Sequence, residues 1–246
     1  MTAPGEGSLA FDVYLDHVGR EIAEIASLLD EANVSPDTQV PACPDWGAAD
    51  LAKHCGEVLA FWHRQVLTAD PAATEPTFGP DDVARLDVPI DRLARDFVSD
   101  LRSAGEDRGC WNWSGAGMTT RWVARRMAQE FAVHGADAQA TAGRPMTIDH
   151  DLAADGIDEF VDVFVGAVEH FTPEGILGLV SATDDRSWRL AINSNKGVRR
   201  TDEPAGLTIT GDIDQLLLHL WNRDAAVTSD GDASVLDVWR ELGSVE

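Results

Sequence analysis

The sequence predicts an α+β protein, with an N-terminal up-down four-helix bundle over residues 1–146 and a smaller C-terminal α/β domain over residues 147–246. Three observations predict it. Before Pro145, four long segments repeat apolar residues at steps of three and four, the period of an amphipathic helix. After Pro145, short β-type runs alternate with turn residues and apolar helical stretches. The chain's 246 residues, 44% hydrophobic and 25% charged, can bury a core and have the balance of a folded protein rather than a disordered one.

The first helix is expected from Leu9 to about Glu31, with Tyr14, Val18, Ile22, Ile25 and Leu29 on its inner stripe and Pro36 and Pro41 beyond its end. Asp45 is the expected N-cap of a second helix that turns Leu51, Cys55, Val58, Trp62 and Val66 inward, with His54 at the edge of that stripe. A connection rich in Pro and Thr runs from Pro71 to Pro80. The third helix, about Pro89 to Ala104, buries Ile90, Leu93, Phe97 and Leu101 and stops at Gly105. The fourth starts after Thr119-Thr120 and carries Trp122, Val123, Met127, Phe131, His134 and Ala138 before Gly143 and Pro145 end it. A further helix is expected over about 152–171, then β-runs at 177–182, 187–193 and 207–210, with turn chemistry at Asn193-Ser194-Asn195-Lys196-Gly197. Asp212 is placed to cap a helix from Ile213 to Trp221, and a last helix is expected over about 234–242.

Charge narrows the function. With 43 acidic against 19 basic side chains the formal net charge is -24, so a nucleic-acid backbone would be repelled over most of the surface. The N-terminus shows no basic segment with an apolar core, and no stretch approaches a membrane span. A cytoplasmic protein, monomeric or homodimeric, is expected. Cys43, Cys55 and Cys110 are an odd set without a CxxC pair, which suggests reduced thiols rather than disulfides or a cysteine zinc knuckle.

The residues that carry chemistry are Glu130 and His134, four apart on the fourth helix and therefore on one face, with His54 on an earlier helix. Two imidazoles and one carboxylate can grip a single ion while leaving part of its coordination sphere open, as catalytic rather than structural sites do. The residues alone leave a plainer alternative open, an ordinary exposed Glu–His pair and a satisfied helix histidine. Cys55, adjacent to His54, points about 100° away from it and reads as a core thiol. Trp111-Asn112-Trp113 reads either as a pocket wall or as packing, and His17, His63, His150, His170 and His219 show no interpretable partner spacing.

The stretch from Val40 through Cys43-Pro-Asp-Trp46 to His54 resembles the hallmark of the mycothiol-dependent maleylpyruvate isomerase family, a V-P-x-C-P-x-W lead into the helix bearing the first metal-binding histidine. Met127-Ala-Gln-Glu130-Phe-Ala-Val-His134-Gly-Ala-Asp137 looks like that family's second signature, and Leu216-Leu-Leu-His-Leu-Trp-Asn-Arg223 is similar to its leucine-rich helix ending in an arginine. The resemblance implies His54, Glu130 and His134 as metal ligands, with zinc the first expectation, and mycothiol as the thiol cosubstrate. The ion would present the thiol as a thiolate to a small electrophile, for isomerisation by addition, bond rotation and elimination, or for S-transfer. Asp137 would orient a ligand from behind, or else be a solvated helix carboxylate or an arginine's ion-pair partner. Arg223 would fix a substrate carboxylate, or else face the C-terminal dipole of its own helix, and Asn222 stands where many relatives have glycine. Two other classes stay open, a metal-dependent hydrolase using activated water and a non-catalytic binding protein that kept the fold.

Overall fold

The computed structural model describes residues 8–164, 175–193 and 197–235. The chain forms two compact units, one of Leu9–Met146 and one from Thr147 onward. In the first, α1 (Phe11–Leu28) is followed by a two-stranded hairpin, β1 (Gln39–Val40) and β2 (Cys43–Gly47), and then by α2 (Ala48–Thr68). The short α3 (Pro80–Val83) lies in the connection to α4 (Ile90–Ala104), and α5 (Thr120–Thr141) closes the unit. Helix α1 packs on α4 and α5, and α2 packs on the same two helices.

Each long helix of this unit forms where the apolar period predicts it, and glycines end two of them. Gly105, at φ 75°, stops α4. Gly143, at φ 69°, ends α5 in a Schellman turn, with Gly143 N–H bonded to Ala140 O and Arg144 N–H to Gln139 O. Helix α5 differs from a simple amphipathic helix, because most of its circumference is buried. Ala124, Ala128, Ala132, Gly135, Ala136 and Ala138 leave room for neighbours to approach from several sides. Gly135 allows one such close approach: an added Cβ would lie 3.1 Å from Glu21 Oε2.

The start of α2 departs from expectation. Asp45 lies in β2, and the N-cap is Gly47. The hairpin turns through Pro41-Ala42, where proline presets the backbone. Ala48 N–H bonds to Thr38 O and Ala49 N–H to Pro36 O, so the preceding loop satisfies donors that an N-cap side chain would otherwise satisfy. Asp50 completes the cap by accepting from Gly47 N–H at 2.9 Å. Gly47 lies so close to the loop that a Cβ there would come within 2.7 Å of Pro36 O.

The long α2–α4 connection is also tied down. Asp82, fully buried, accepts from Arg64 Nε at 2.7 Å, from Arg64 Nη2 at 2.9 Å and from Gly79 N–H at 2.8 Å. This fork-to-fork pair holds α3 to α2. His63, also buried, meets Asp100 of α4 at 2.7 Å. Sequence reading found neither α3 nor these pairs.

The second unit begins with α6 (His150–Glu159), capped by Asp149, whose side chain accepts from Asp151 N–H and Leu152 N–H. A π-helical turn, Phe160–Phe164, extends it; the rest of the helix expected to 171, including His170, lies outside the described residues. A five-stranded sheet follows from β3 (Gly175–Ser181), β4 (Ser187–Asn193), β5 (Gly197–Arg200), β6 (Leu207–Gly211) and β7 (Thr228–Gly231), in the order β5-β4-β3-β6-β7. Only β3 and β6 pair in parallel; the other neighbours are antiparallel. The predicted runs match β3, β4 and β6 closely, whereas the exposed edge strand β7 carried no apolar pattern to reveal it. Asp158 accepts from Trp188 Nε1 at 2.8 Å and Arg200 Nη2 at 2.7 Å, fastening α6 to the sheet. Helix α7 (Ile213–Leu220) packs on α6. Asp212 is its N-cap residue but makes no side-chain cap bond. Ser234 and Val235 are helical, and the rest of the helix expected over about 234–242 lies outside the described residues. Among the described residues, no helix is long and apolar enough to cross a membrane.

Candidate metal centre

The three donors singled out from the sequence meet in the first unit. His54 Nε2 lies 3.5 Å from Glu130 Oε1, and His134 Nε2 lies 3.4 Å from the same oxygen. One donor atom from each of the three residues lies within 4.8 Å of the others. Two donors about 2.1 Å from one ion, at a tetrahedral angle, are about 3.4 Å apart. The spacing therefore suits a small divalent ion without rearrangement of the carboxylate against either ring. The three are neither fully exposed nor sealed: the side chains of His54 and Glu130 are about a quarter exposed, and that of His134 is largely buried.

Helix geometry explains most of this. Arg126, Glu130, His134 and Asp137 follow one another on α5 at steps of four, four and three, and at about 100° per residue they stay within roughly 80° of helix circumference. Asp137 accepts from His134 Nδ1 at 3.0 Å and is almost wholly buried, so of the readings open for it the solvated carboxylate does not fit. That bond fixes the imidazole with its Nε2 toward Glu130. Arg126, buried, donates from Nη2 to Glu130 Oε2 at 3.0 Å. His54 comes from α2, which runs alongside α5.

Electrostatics follow the same contacts. Burial, the largest influence on Glu130, raises its pKa. Hydrogen bonds from His134 and His54, with the charges of His134 and Arg126, outweigh burial and hold the carboxyl well below the usual range. Burial also dominates at His134, where it lowers the pKa, but hydrogen bonds to Asp137 and Glu130 and their negative charges raise it to about 9. The cluster thus carries two carboxylates that favour a cation between them. Cys55 is no competing nucleophile: burial, with the charges of Glu130 and Asp137, pushes its thiol well above the ordinary value.

Two neighbours went unnoticed in the sequence as site residues. Trp46 places its ring centroid 4.9 Å from that of His54 and 6.4 Å from that of His134, forming an aromatic wall. It was visible only as part of the Cys43–Trp46 lead-in; the hairpin that aims it was not. Arg126 had a detectable signal, an arginine one turn before a carboxylate on the same helix. Trp111 stacks on Trp62 with centroids 6.0 Å apart, and Trp113 meets Trp122 edge-on at 5.7 Å, so this pair belongs to an aromatic cluster joining α2 to the start of α5. Asn112, between them, is buried and ties the loop by donating to Ala116 O at 3.0 Å.

Arg223 lies in the second unit, just past α7. Its N–H bonds to Leu218 O and Asn222 N–H to His219 O, a Schellman turn in which Asn222 adopts φ 57°. Asparagine is the usual substitute for glycine in this conformation, so the turn keeps its shape. The guanidinium donates from Nη1 to Trp221 O at 2.7 Å, at the helix end.

Fold and site together define a helical unit bearing an open His/His/Glu donor set, continued in sequence by a mixed α/β unit. The model of the mycothiol maleylpyruvate isomerase N-terminal domain matches residues 15–139, about half of the chain, and the chain belongs to that family. A crystal structure of the mycothiol-dependent maleylpyruvate isomerase is similar to it, with a TM-score of 0.58 and 13% identity, over 90% of this chain and 93% of that one. A histidine-to-alanine mutant of such an isomerase gives a TM-score of 0.57 at 14% identity with the same coverage. At these identities the likeness is one of fold. Comparison with curated proteins finds no match.

Proposed function

We propose that this chain is a divalent-metal enzyme that activates a low-molecular-weight thiol, mycothiol by family, for isomerisation of or S-transfer to a small electrophile. The observation that carries the reading is the convergence of His54 Nε2, His134 Nε2 and Glu130 Oε1 at separations of 3.4 to 3.5 Å around the carboxylate oxygen. Asp137 behind His134 strengthens it, because metal-binding histidines commonly donate their other N–H to a carboxylate. The packing of α1 and α2 against α4 and α5 supports an up-down four-helix bundle as the frame.

An ion held by these three residues supplies positive charge that lowers a thiol's pKa, making thiolate available near neutral pH. Zinc fits two imidazoles and a carboxylate well, and the same set accepts several other first-row ions. The chain's own groups do the rest. Asp137 holds the Nδ1 proton of His134, so that Nε2 is the nitrogen that gives up its proton to face the ion. Glu130 stays ionised across the neutral range. Trp46 lies against the His54 ring and near that of His134, adding apolar surface beside both imidazoles. An electrophile with a conjugated double bond would be isomerised by thiol addition, rotation about the new single bond and elimination, with no net change in atoms.

The test is metal analysis of the purified protein together with a thiol-conjugation screen using mycothiol and epoxide, halide and conjugated-acid electrophiles. Near one ion per chain, lost in His134→Ala, and turnover that requires thiol are the expected results. Turnover that persists without any thiol would point instead to hydrolysis by activated water. Absence of metal in the wild type, with stability unchanged in His54→Ala, would leave a binding protein as the better reading.

A further inference from the structure

The two oxygens of Glu130 face different partners. Oε1 looks toward His54 and His134, whereas Oε2 accepts a hydrogen bond from Arg126 Nη2 at 3.0 Å. The Arg126 side chain is only 4% exposed, so this charge-assisted bond stands where water cannot readily replace it. Arg126 precedes Glu130 by one turn of α5, and the helix itself fixes their separation.

We propose that Arg126 is a positioning residue that restricts Glu130 to coordination through one oxygen and so keeps a further position on the ion open for thiol or substrate. The inference rests on the three-donor reading above. Carboxylates bind ions through one oxygen or both, and a second oxygen would occupy a position that a catalytic site leaves to its reactants. For Oε2 to turn toward the ion it must give up its charge-assisted bond to the buried Arg126 guanidinium, which is unfavourable. The family-like Glu–His spacing selects the ligands; Arg126 selects how one of them binds.

Water-proton relaxation by Mn(II)-loaded protein tests this, because the enhancement per bound ion scales with the number of coordinated waters. Three protein donors on a six-coordinate Mn(II) leave about three waters. In Arg126→Met, Oε2 is released to the ion and the enhancement per bound ion should fall by about a third, as one of those waters is displaced. In Arg126→Lys, a cation still able to donate to Oε2, it should stay near the wild-type value. Equal enhancement per ion in wild type and Arg126→Met would overturn the proposal. Arg126→Leu, which likewise cannot donate to Oε2, provides the same comparison where the methionine variant does not fold. A wild type that takes up no Mn(II), or whose loading survives His134→Ala, overturns the three-donor reading instead.

Discussion

Replacing Asp137 by Asn keeps the shape behind His134 and an oxygen able to accept from Nδ1, while removing the charge. Two effects then oppose one another. Loss of an outer partner of a metal-binding histidine typically weakens the metal about 10- to 100-fold. Yet the same carboxylate helps raise His134 to about 9, so at pH 7 an incoming ion must first displace a proton from a site about two units above the solution pH. That competition lowers apparent affinity about 100-fold, or about 3 kcal/mol. Taking away Asp137 lowers the His134 pKa and relieves part of this competition. The loss of affinity in Asp137→Asn should therefore be larger at pH 9, where about half of the imidazole has already lost its proton and competition costs only about twofold, than at pH 7. Competition against a chromophoric chelator at both pH values measures it. Equal losses at the two values, or no loss at either, would refute the coupling of Asp137 to the ion through His134.

Other consequences can be checked without substrate. His134 is raised from its ordinary 6.5 to about 9, so in metal-free protein its contribution to stability is complete below pH 6.5 and lost as pH rises through 9; urea unfolding after chelation should show that decline, and His134→Ala should abolish it. Asp82→Ala removes a fully buried carboxylate from a bidentate pair and should cost about 3 kcal/mol in chemical denaturation, near the low end for a broken buried pair because Arg64 is partly exposed. Burial drives the Cys110 thiol up to about 11 and the Cys55 thiol well above its ordinary value, so at pH 8 an alkylating agent should modify neither until denaturant is added. Gly47→Ala, which sets a Cβ 2.7 Å from Pro36 O, should destabilise by about 1–3 kcal/mol and lower metal affinity as well, because it disturbs the start of the helix that delivers His54.

Much of the frame was legible because it rests on local period. The stripes of α1, α2, α4 and α5 and the runs of β3, β4 and β6 are carried by apolar residues at helix or strand spacing. The edge strand β7, Thr228–Gly231, was not legible, because an exposed strand needs no apolar alternation and takes its shape from pairing with β6. The misplaced cap of α2 has a similar cause: Asp45 has the right side chain, but carbonyls from residues 36 and 38, folded back over the helix start, satisfy the donors instead. At the site, the Glu130–His134 spacing was visible because one helix carries both. The partners of Asp137 and the aim of Trp46 depend on burial and on a hairpin, neither of which residue types reveal.

The division of labour between two helices explains why the site is built this way. Arg126, Glu130, His134 and Asp137 share one stripe of α5, so their mutual geometry is set by helix formation itself and changes little unless α5 unwinds. The single tertiary variable is the position of α2, which brings His54 up to Glu130 Oε1. A slip of α2 by one residue would rotate His54 by about 100° and bring Cys55 into its place. Register is held at the start of α2 by the bonds of Ala48 and Ala49 to the preceding loop and by the glycine that permits their approach. Further along, it is held by stacking of Trp62 on Trp111 and by the Arg64–Asp82 pair. Substitutions at these distant contacts should thus act on metal affinity through His54 alone, leaving the pairing of Arg126 with Glu130 and of His134 with Asp137 intact.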